Sequence, residues 1–389
     1  MIAATCNYGS ADRIDLDWRG YQKSTALGLT KTMHHMKQLT RLSFLVLAIL
    51  IITQCGHPLT LDPSIAGQES GSEELFIGVS PVDESTVWIS GTGGTYGRTL
   101  DGGLTWETDI VPGADSLQFR DVHGVDADTA YLLSIGSGDQ SRIYKTEDGG
   151  QSWELQFVNP EPAGFFDCMG FWDARHGMAF SDSFEGAFYI ITTNNGGSSW
   201  ERVPSDRLPP ARAGEGSFAA SGHCLHVGGD STAWIGTGAS EEGPARVLRT
   251  ADRGLTWAYS DTPIAGGSVS GITSVAFGDA NRGAVLGGNV MDMESRADNV
   301  ALTLDGGVTW VLTGRPGFPG PVYGAAFVTG APAPTLVAVG PMGLAFTVDQ
   351  GASWETLSDE NYWSVAFASP GSGWAIGTEG RIAKLSLYK

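Results

Sequence analysis

Asp167, Asp182, Glu185 and Glu215 are the residues of this chain whose type and grouping come nearest to chemistry. Two carboxyl groups ~5 Å apart, or ~6.5–9.5 Å apart with a water between them, can break a glycosidic bond. One protonates the leaving oxygen, and the other attacks the sugar or activates the water. Sequence spacing does not set such a separation, and a chain this acidic brings carboxylates together by chance. Other chemistries lack their parts. There is no CxxC, no HExxH and no Cys/His cluster, so no metal site is read. The run GTGGTYG at 91–97 has the look of a dinucleotide loop, yet it leads into a strand rather than a helix. Nothing suggests a flavin or quinone, and no cofactor is expected.

What must position these residues is a β architecture. The 389 residues include 55 glycines and 12 tryptophans, a composition of tight turns and short aromatic strands, and no sustained helical periodicity follows residue 55. Residues 1–55 hold six basic and three acidic residues; without them 17 Lys+Arg face 40 Asp+Glu, a formal charge near −23. Such a surface repels a phosphate backbone, so nucleic acid is excluded as a partner and cationic patches are favoured.

One phrase recurs six times: Thr-x-Asp-x-Gly-x-Ser/Thr-Trp. It places Asp101 with Trp106, Asp148 with Trp153, Asn195 with Trp200, Asp252 with Trp257, Asp305 with Trp310 and Asp349 with Trp354. Its Trp-to-Trp intervals are 47, 47, 57, 53 and 44 residues. The chemistry is that of a turn. The carboxylate accepts from the amides that follow it, the glycine supplies positive φ, and the hydroxyl closes a further local bond. Each tryptophan is expected to return into the sheet as a core staple. Asn195 can still accept one such bond, so the third copy keeps its shape.

Between the turns runs a second pattern of an aromatic or β-branched strand, a polar turn and an apolar strand ending in glycine. It occurs seven times, the last in residues 362–387 without a turn of its own. Seven units and six turns predict an all-β, single seven-bladed β-propeller over 74–389. The segment 56–73, around Thr60 to Ala66, is a linker that also supplies the missing outer strand. A six-bladed ring with a loose C-terminal tail is the alternative.

The phrase is identified as the Asp-box or BNR repeat, which in sialidases and related propellers joins the third and fourth strands of a blade. With GWAIGTEGRI at 373–382, the chain resembles the photosystem II stability and assembly factor type of propeller and its exported bacterial cousins. That resemblance implies a non-enzymatic protein that holds a partner. Sialidases also need an arginine in a Phe/Tyr-Arg-Ile-Pro motif. Phe119 and Arg120 match its first two positions and the next two residues fail. Asp-box endoglucanases place a cleft between two propellers, and one is present here.

Ahead of the repeats, the apolar run Leu42–Ile52 follows Lys37 and Arg41 and is too short to span a bilayer as a helix; it predicts a secretory signal over 36–55. Residues 1–35 are read as an over-extended start. ITQC at 52–55 resembles the lipobox of bacterial lipoproteins, with Cys55 as the lipidated residue, although Gln54 departs from the pattern; an ordinary cleaved signal is the alternative. Gly56 after the cysteine points to the periplasmic side of the outer membrane, with a periplasmic or secreted protein otherwise. Cys168 and Cys224 remain, and export permits a disulfide between them without implying one.

With every repeated turn on one face, the opposite face is built from the leading ends of first strands and the loops between second and third strands. Arg120, Asp121, Asp167, Glu215, Tyr323 and Trp363 are expected at the strand ends. Arg142, Asp182, Glu185, Arg246, Asp292 and Arg296 belong to the loops. Tyr323, Trp363 and Phe165 are the candidates for stacking. Taken singly, each charge is better explained by solvent or by a blade-to-blade ion pair, and only clustering would raise it. The expected function is a non-catalytic, exported binding or assembly scaffold of the cell envelope, whose partner is an envelope protein or glycan. A carbohydrate-active hydrolase using the loop-face carboxylates is the alternative.

Overall fold

The computed structural model describes residues 59–389. The expected start, signal and Cys55 lie outside the described residues. Seven four-stranded antiparallel sheets follow one another along the chain, at 76–110, 119–158, 166–202, 225–261, 270–312, 324–358 and 364–388, and are numbered here as blades 1 to 7. Within blades 1 to 6 the strand order equals the chain order. Blade 7 has three strands of its own and takes its outer strand from Leu61–Gln68, which runs antiparallel to Ile382–Tyr388 with Gln68 opposite Ile382. Thr60 and Lys389 exchange backbone hydrogen bonds at 2.8 and 3.0 Å. The chain ends therefore meet in one sheet, and the protein is a seven-bladed β-propeller.

The ring closes through its cores. Each of seven buried clusters is shared by two successive blades, and the seventh joins Phe76, Val87 and Ile89 of blade 1 to Trp374, Ile376 and Ile382 of blade 7. A lone four-stranded sheet cannot bury both faces; stacking it between neighbours can, which is why the repeat demands a circle.

The six repeated turns join third to fourth strands. In the second copy the Thr146 hydroxyl donates to Asp148 Oδ1 at 2.9 Å and accepts from the Gly150 amide at 2.9 Å. Ser152 then donates its amide to Oδ1 at 2.8 Å and its hydroxyl to Oδ2 at 2.6 Å. The same four bonds recur at Asp101, Asp252, Asp305 and Asp349. At Asn195 the fourth is reversed, with Nδ2 donating to Ser199 Oγ at 2.9 Å. These bonds, the hydroxyl one first, hold the Asp305 and Asp349 carboxyls down at about 2.

The turn tryptophans depart from expectation. Trp310 alone is buried, at 9% exposure, and the other five are half-buried. They lean back onto the preceding blade: Trp153 meets Trp88 and Tyr96 edge-on, and Trp106 Nε1 donates to Gln68 Oε1. They staple blade to blade at the rim, whereas the deep core tryptophans are Trp88, Trp234 and Trp374.

Candidate functional site

First strands line the central channel, and in four of them, those of blades 1, 2, 3 and 5, an extra residue is inserted near the leading end. The register slips between Phe119 and Asp121 in blade 2 and between Phe166 and Cys168 in blade 3, so Arg120 and Asp167 are the bulged residues. A bulge re-aims a side chain off the sheet face. Both side chains reach a cavity of about 460 Å³ at the channel mouth, on the face away from the acidic turns. Asp182 lies in the neighbouring strand Gly177–Phe184, and Phe165, Tyr323 and Trp363 lead into first strands of blades 3, 6 and 7; all four line the same cavity.

The cavity has a floor because the channel is filled. Residues 216–224, leading into blade 4, cross it. Ala219 O accepts from Arg120 Nη1 of blade 2 at 2.8 Å, and Ser221 Oγ donates to Tyr323 O at 2.6 Å. His223 O accepts from Val275 N of blade 5, its Nδ1 stands 3.1 Å from Ala325 O and 3.2 Å from Ala325 N of blade 6, and its Nε2 meets Ser364 Oγ of blade 7 at 3.0 Å. Desolvation holds the His223 pKa down to about 4, which keeps the ring neutral and able to accept. Two glycines fit this path: a Cβ on Gly216 would run into the Asp182 carboxylate, and Gly222, at φ +73°, lies against Asp121. A disulfide between Cys224 and Cys168 fastens the segment to blade 3, with Cα atoms 6.1 Å apart.

At the mouth, Arg120 lies over the Trp363 ring at 5.2 Å, donates Nη2 to Gln118 Oε1 at 3.0 Å, and is packed by Tyr323, whose ring meets Trp363 edge-on at 4.9 Å. Tyr323 is only 7% exposed, so it supports the Trp363 platform and is not itself an open stacking face. Asp167, 1% exposed, and Asp182 stand within hydrogen-bonding reach of each other. Burial pushes Asp167 well above the ordinary carboxyl range, and the Asp182 charge adds to it; Asp182, also desolvated, is pushed up to about 6 against the Ser217 amide that donates to Oδ1 at 2.9 Å. Two carboxyl groups in this position hold one proton between them.

The other expected site residues are elsewhere. Asp121 is buried between blades and accepts from Met169 N at 2.8 Å, with burial raising its pKa. Glu215 and Arg246 pair with each other, at 2% and 3% exposure, inside the top edge of blade 4. Arg142 is occupied locally by Asp139 O and Tyr144 Oη. Glu185 sits at a hairpin tip with φ +53°, while Asp292 accepts from Glu294 N in its own exposed turn and Arg296 is exposed. The strand-end rule does not tell a channel-facing side chain from one facing a neighbouring sheet. Conversely, it passed over Ser217–Ala220, Ile135, Val290 and Met291, which complete the cavity wall. The signal for the first of these is the 57-residue interval between Trp200 and Trp257, the longest of the set.

A carboxyl that keeps its proton to pH 6 in the fold and to about 3.8 when unfolded gives wild-type stability that rises as pH falls through that window. Asp182→Asn, which keeps the acceptor for Ser217, is expected to be more stable than wild type by about 1–3 kcal/mol at pH 8, with the advantage fading by about pH 4. Denaturant titrations at several pH values check it. The depressed histidines, His123, His223 and His226, impose an opposite slope that is common to both proteins and cancels in the difference.

No family model and no curated protein matches the chain. Among solved structures it is similar to YCF48 bound to D1 peptide, at 18% identity and a TM-score of 0.58 over 85% of this chain and 98% of that one. YCF48 from Cyanidioschyzon merolae gives 16% identity and a TM-score of 0.60 over 83% and 99%. The WD40 propeller domain of Doa1 gives 15% and 0.53 over 84% and 97%. The chain thus shares the propeller fold of these proteins nearly end to end, and at such identities the fold is what the likeness shows.

Proposed function

We propose that this protein is a non-catalytic, exported propeller of the cell envelope that binds a protein partner through its channel-mouth face. The observation carrying this reading is the blocked channel: segment 216–224 turns a through-hole into a walled, floored recess ringed by loops of unequal length. Rigid strands hold that recess and the loops are free to vary, the usual division of labour in a binding scaffold. A YCF48 structure of similar fold holds a D1 peptide, which supports a peptide or protein as ligand here. The Cys168–Cys224 disulfide fits an oxidising, exported location. The glycosidase alternative gains little from Asp167 and Asp182. Their carboxyls stand within hydrogen-bonding reach of each other, closer than the ~5 Å gap in which a sugar sits.

The test is capture from envelope fractions by the tagged chain. A partner retained by wild type and by Asp349→Ala on the turn face, but lost on Arg296→Glu and Asp292→Lys at the mouth face, is the expected result. Equal capture by all variants, or turnover of glycosides that is lost in Asp167→Asn, would overturn the reading.

A further inference from the structure

The polar atoms that the channel-mouth cavity leaves without protein partners are unequal in kind. Arg120 has both terminal nitrogens occupied, by Ala219 O and Gln118 Oε1, and its plane lies over Trp363; only Nε is free of a partner. It is fixed in place as part of the wall. Asp167 Oδ2, by contrast, meets no amide, guanidinium or alcohol donor although the residue is 1% exposed. No ion pair forms between Arg120 and Asp167 within 4 Å among the described residues. With one proton held between Asp167 and Asp182, the pair keeps a single negative charge, and the remaining open capacity of the recess is that of an acceptor. Around it stand the rings of Phe165, Phe218 and Trp363, whose faces attract a cation. Outside, the described protein and its linker carry a large negative excess, which steers cationic groups inward.

We infer that the cavity is the seat for a basic side chain, lysine or arginine, of a protein partner, with Asp182 at the wall and Asp167 behind it as its counter-charge. The ammonium or guanidinium fills the acceptor capacity of the carboxyl pair, and its aliphatic stem lies along Trp363 and Phe165. A buried carboxyl pair is costly to keep in a fold, and a cationic guest is what relieves it. Three His, Cys, Asp or Glu side chains do not converge here or elsewhere among the described residues, so a side-chain cation suits the recess better than a metal ion.

This inference rests on the protein-binding reading above. Its test uses the full chain, titrated with acetyl-Gly-Lys-Gly-amide and with the norleucine and glutamate counterparts, followed by tryptophan fluorescence. The lysine peptide is expected to bind at least tenfold more tightly than either. Asp167→Asn with Asp182→Asn should remove that preference. So should Met291→Arg, an exposed rim position at 74% exposure whose replacement leaves the core untouched and sets a competing cation at the mouth. Arg296→Ala, on the same face, should keep it. Equal binding of lysine and norleucine peptides, tighter binding of the glutamate peptide, or a preference that survives Met291→Arg would overturn the inference. In those cases a captured partner sensitive to Arg296→Glu would still stand, so the two readings fail separately.

Discussion

Replacing Glu215 with alanine while Arg246 remains is expected to lower the free energy of unfolding by about 3–5 kcal/mol. The pair is almost wholly buried, and every acceptor site of the carboxylate is in use. Arg246 Nε donates to Glu215 Oε1 at 2.7 Å; Thr237 Oγ1 donates to the same oxygen at 2.7 Å; and Arg212 N and Arg246 Nη2 donate to Oε2. On the other side, Arg246 gives Nη2 to Pro210 O and lies 4.6 Å from the Tyr259 ring centre. Removing the carboxylate leaves a guanidinium and a threonine hydroxyl in a site closed off from solvent, where Arg246 is 3% and Thr237 0% exposed. The penalty is that of an uncompensated buried charge, not the net worth of the bridge. The double replacement Glu215→Leu with Arg246→Met is therefore expected to recover most of the loss. Denaturant midpoints of the three proteins decide the matter. A single-variant loss under about 1 kcal/mol would mean that water reaches the pair.

Loss of the disulfide is the second large effect. Cys168 and Cys224 are 56 residues apart, and cross-linking a loop of that size restricts the unfolded chain by about 4 kcal/mol in the chain-entropy account, with measured values commonly nearer 2–4. Cys168→Ala with Cys224→Ala is expected to fall in that range, and reduction of wild type should approach the same stability. The bond also does local work. Cys224 adjoins His223, so releasing it frees one end of the segment that floors the cavity, and amide exchange in 216–224 is expected to rise more than in the outer strands. Uniform exchange across the chain would show that the hydrogen bonds to blades 5, 6 and 7 hold the segment without the sulfur link.

How much of this was legible in the sequence follows from the range of each interaction. The acidic turns were readable because all their partners lie within five residues: Thr146, Asp148, Gly150 and Ser152 make one closed set of bonds that needs nothing from elsewhere. The blade count followed from repetition, and the ring closure from a unit left one strand short. The mouth face was readable too, since alternation of loops along a repeated sheet assigns each to one side. Arg120, Asp167 and Trp363 line the recess on that face, and Asp182, expected in a loop, joins them from the strand Gly177–Phe184.

The fate of individual charges on that face was another matter. Glu215 and Arg246 are 31 residues apart, Asp121 and the Met169 amide 48, and His223 and Ala325 102. Whether such a residue meets a partner, a neighbouring sheet or open space is settled by how seven sheets pack, and residue type carries no record of that. Sequence by itself determined the repeated local bonds, and with them a closed ring having one face of acidic turns and one of uneven loops. Only the tertiary structure decided that the channel is filled by residues 216–224, that Cys168 and Cys224 join, and that two carboxyls share one recess, because each depends on groups brought together by packing across the ring, where desolvation is strong and sequence distance means nothing.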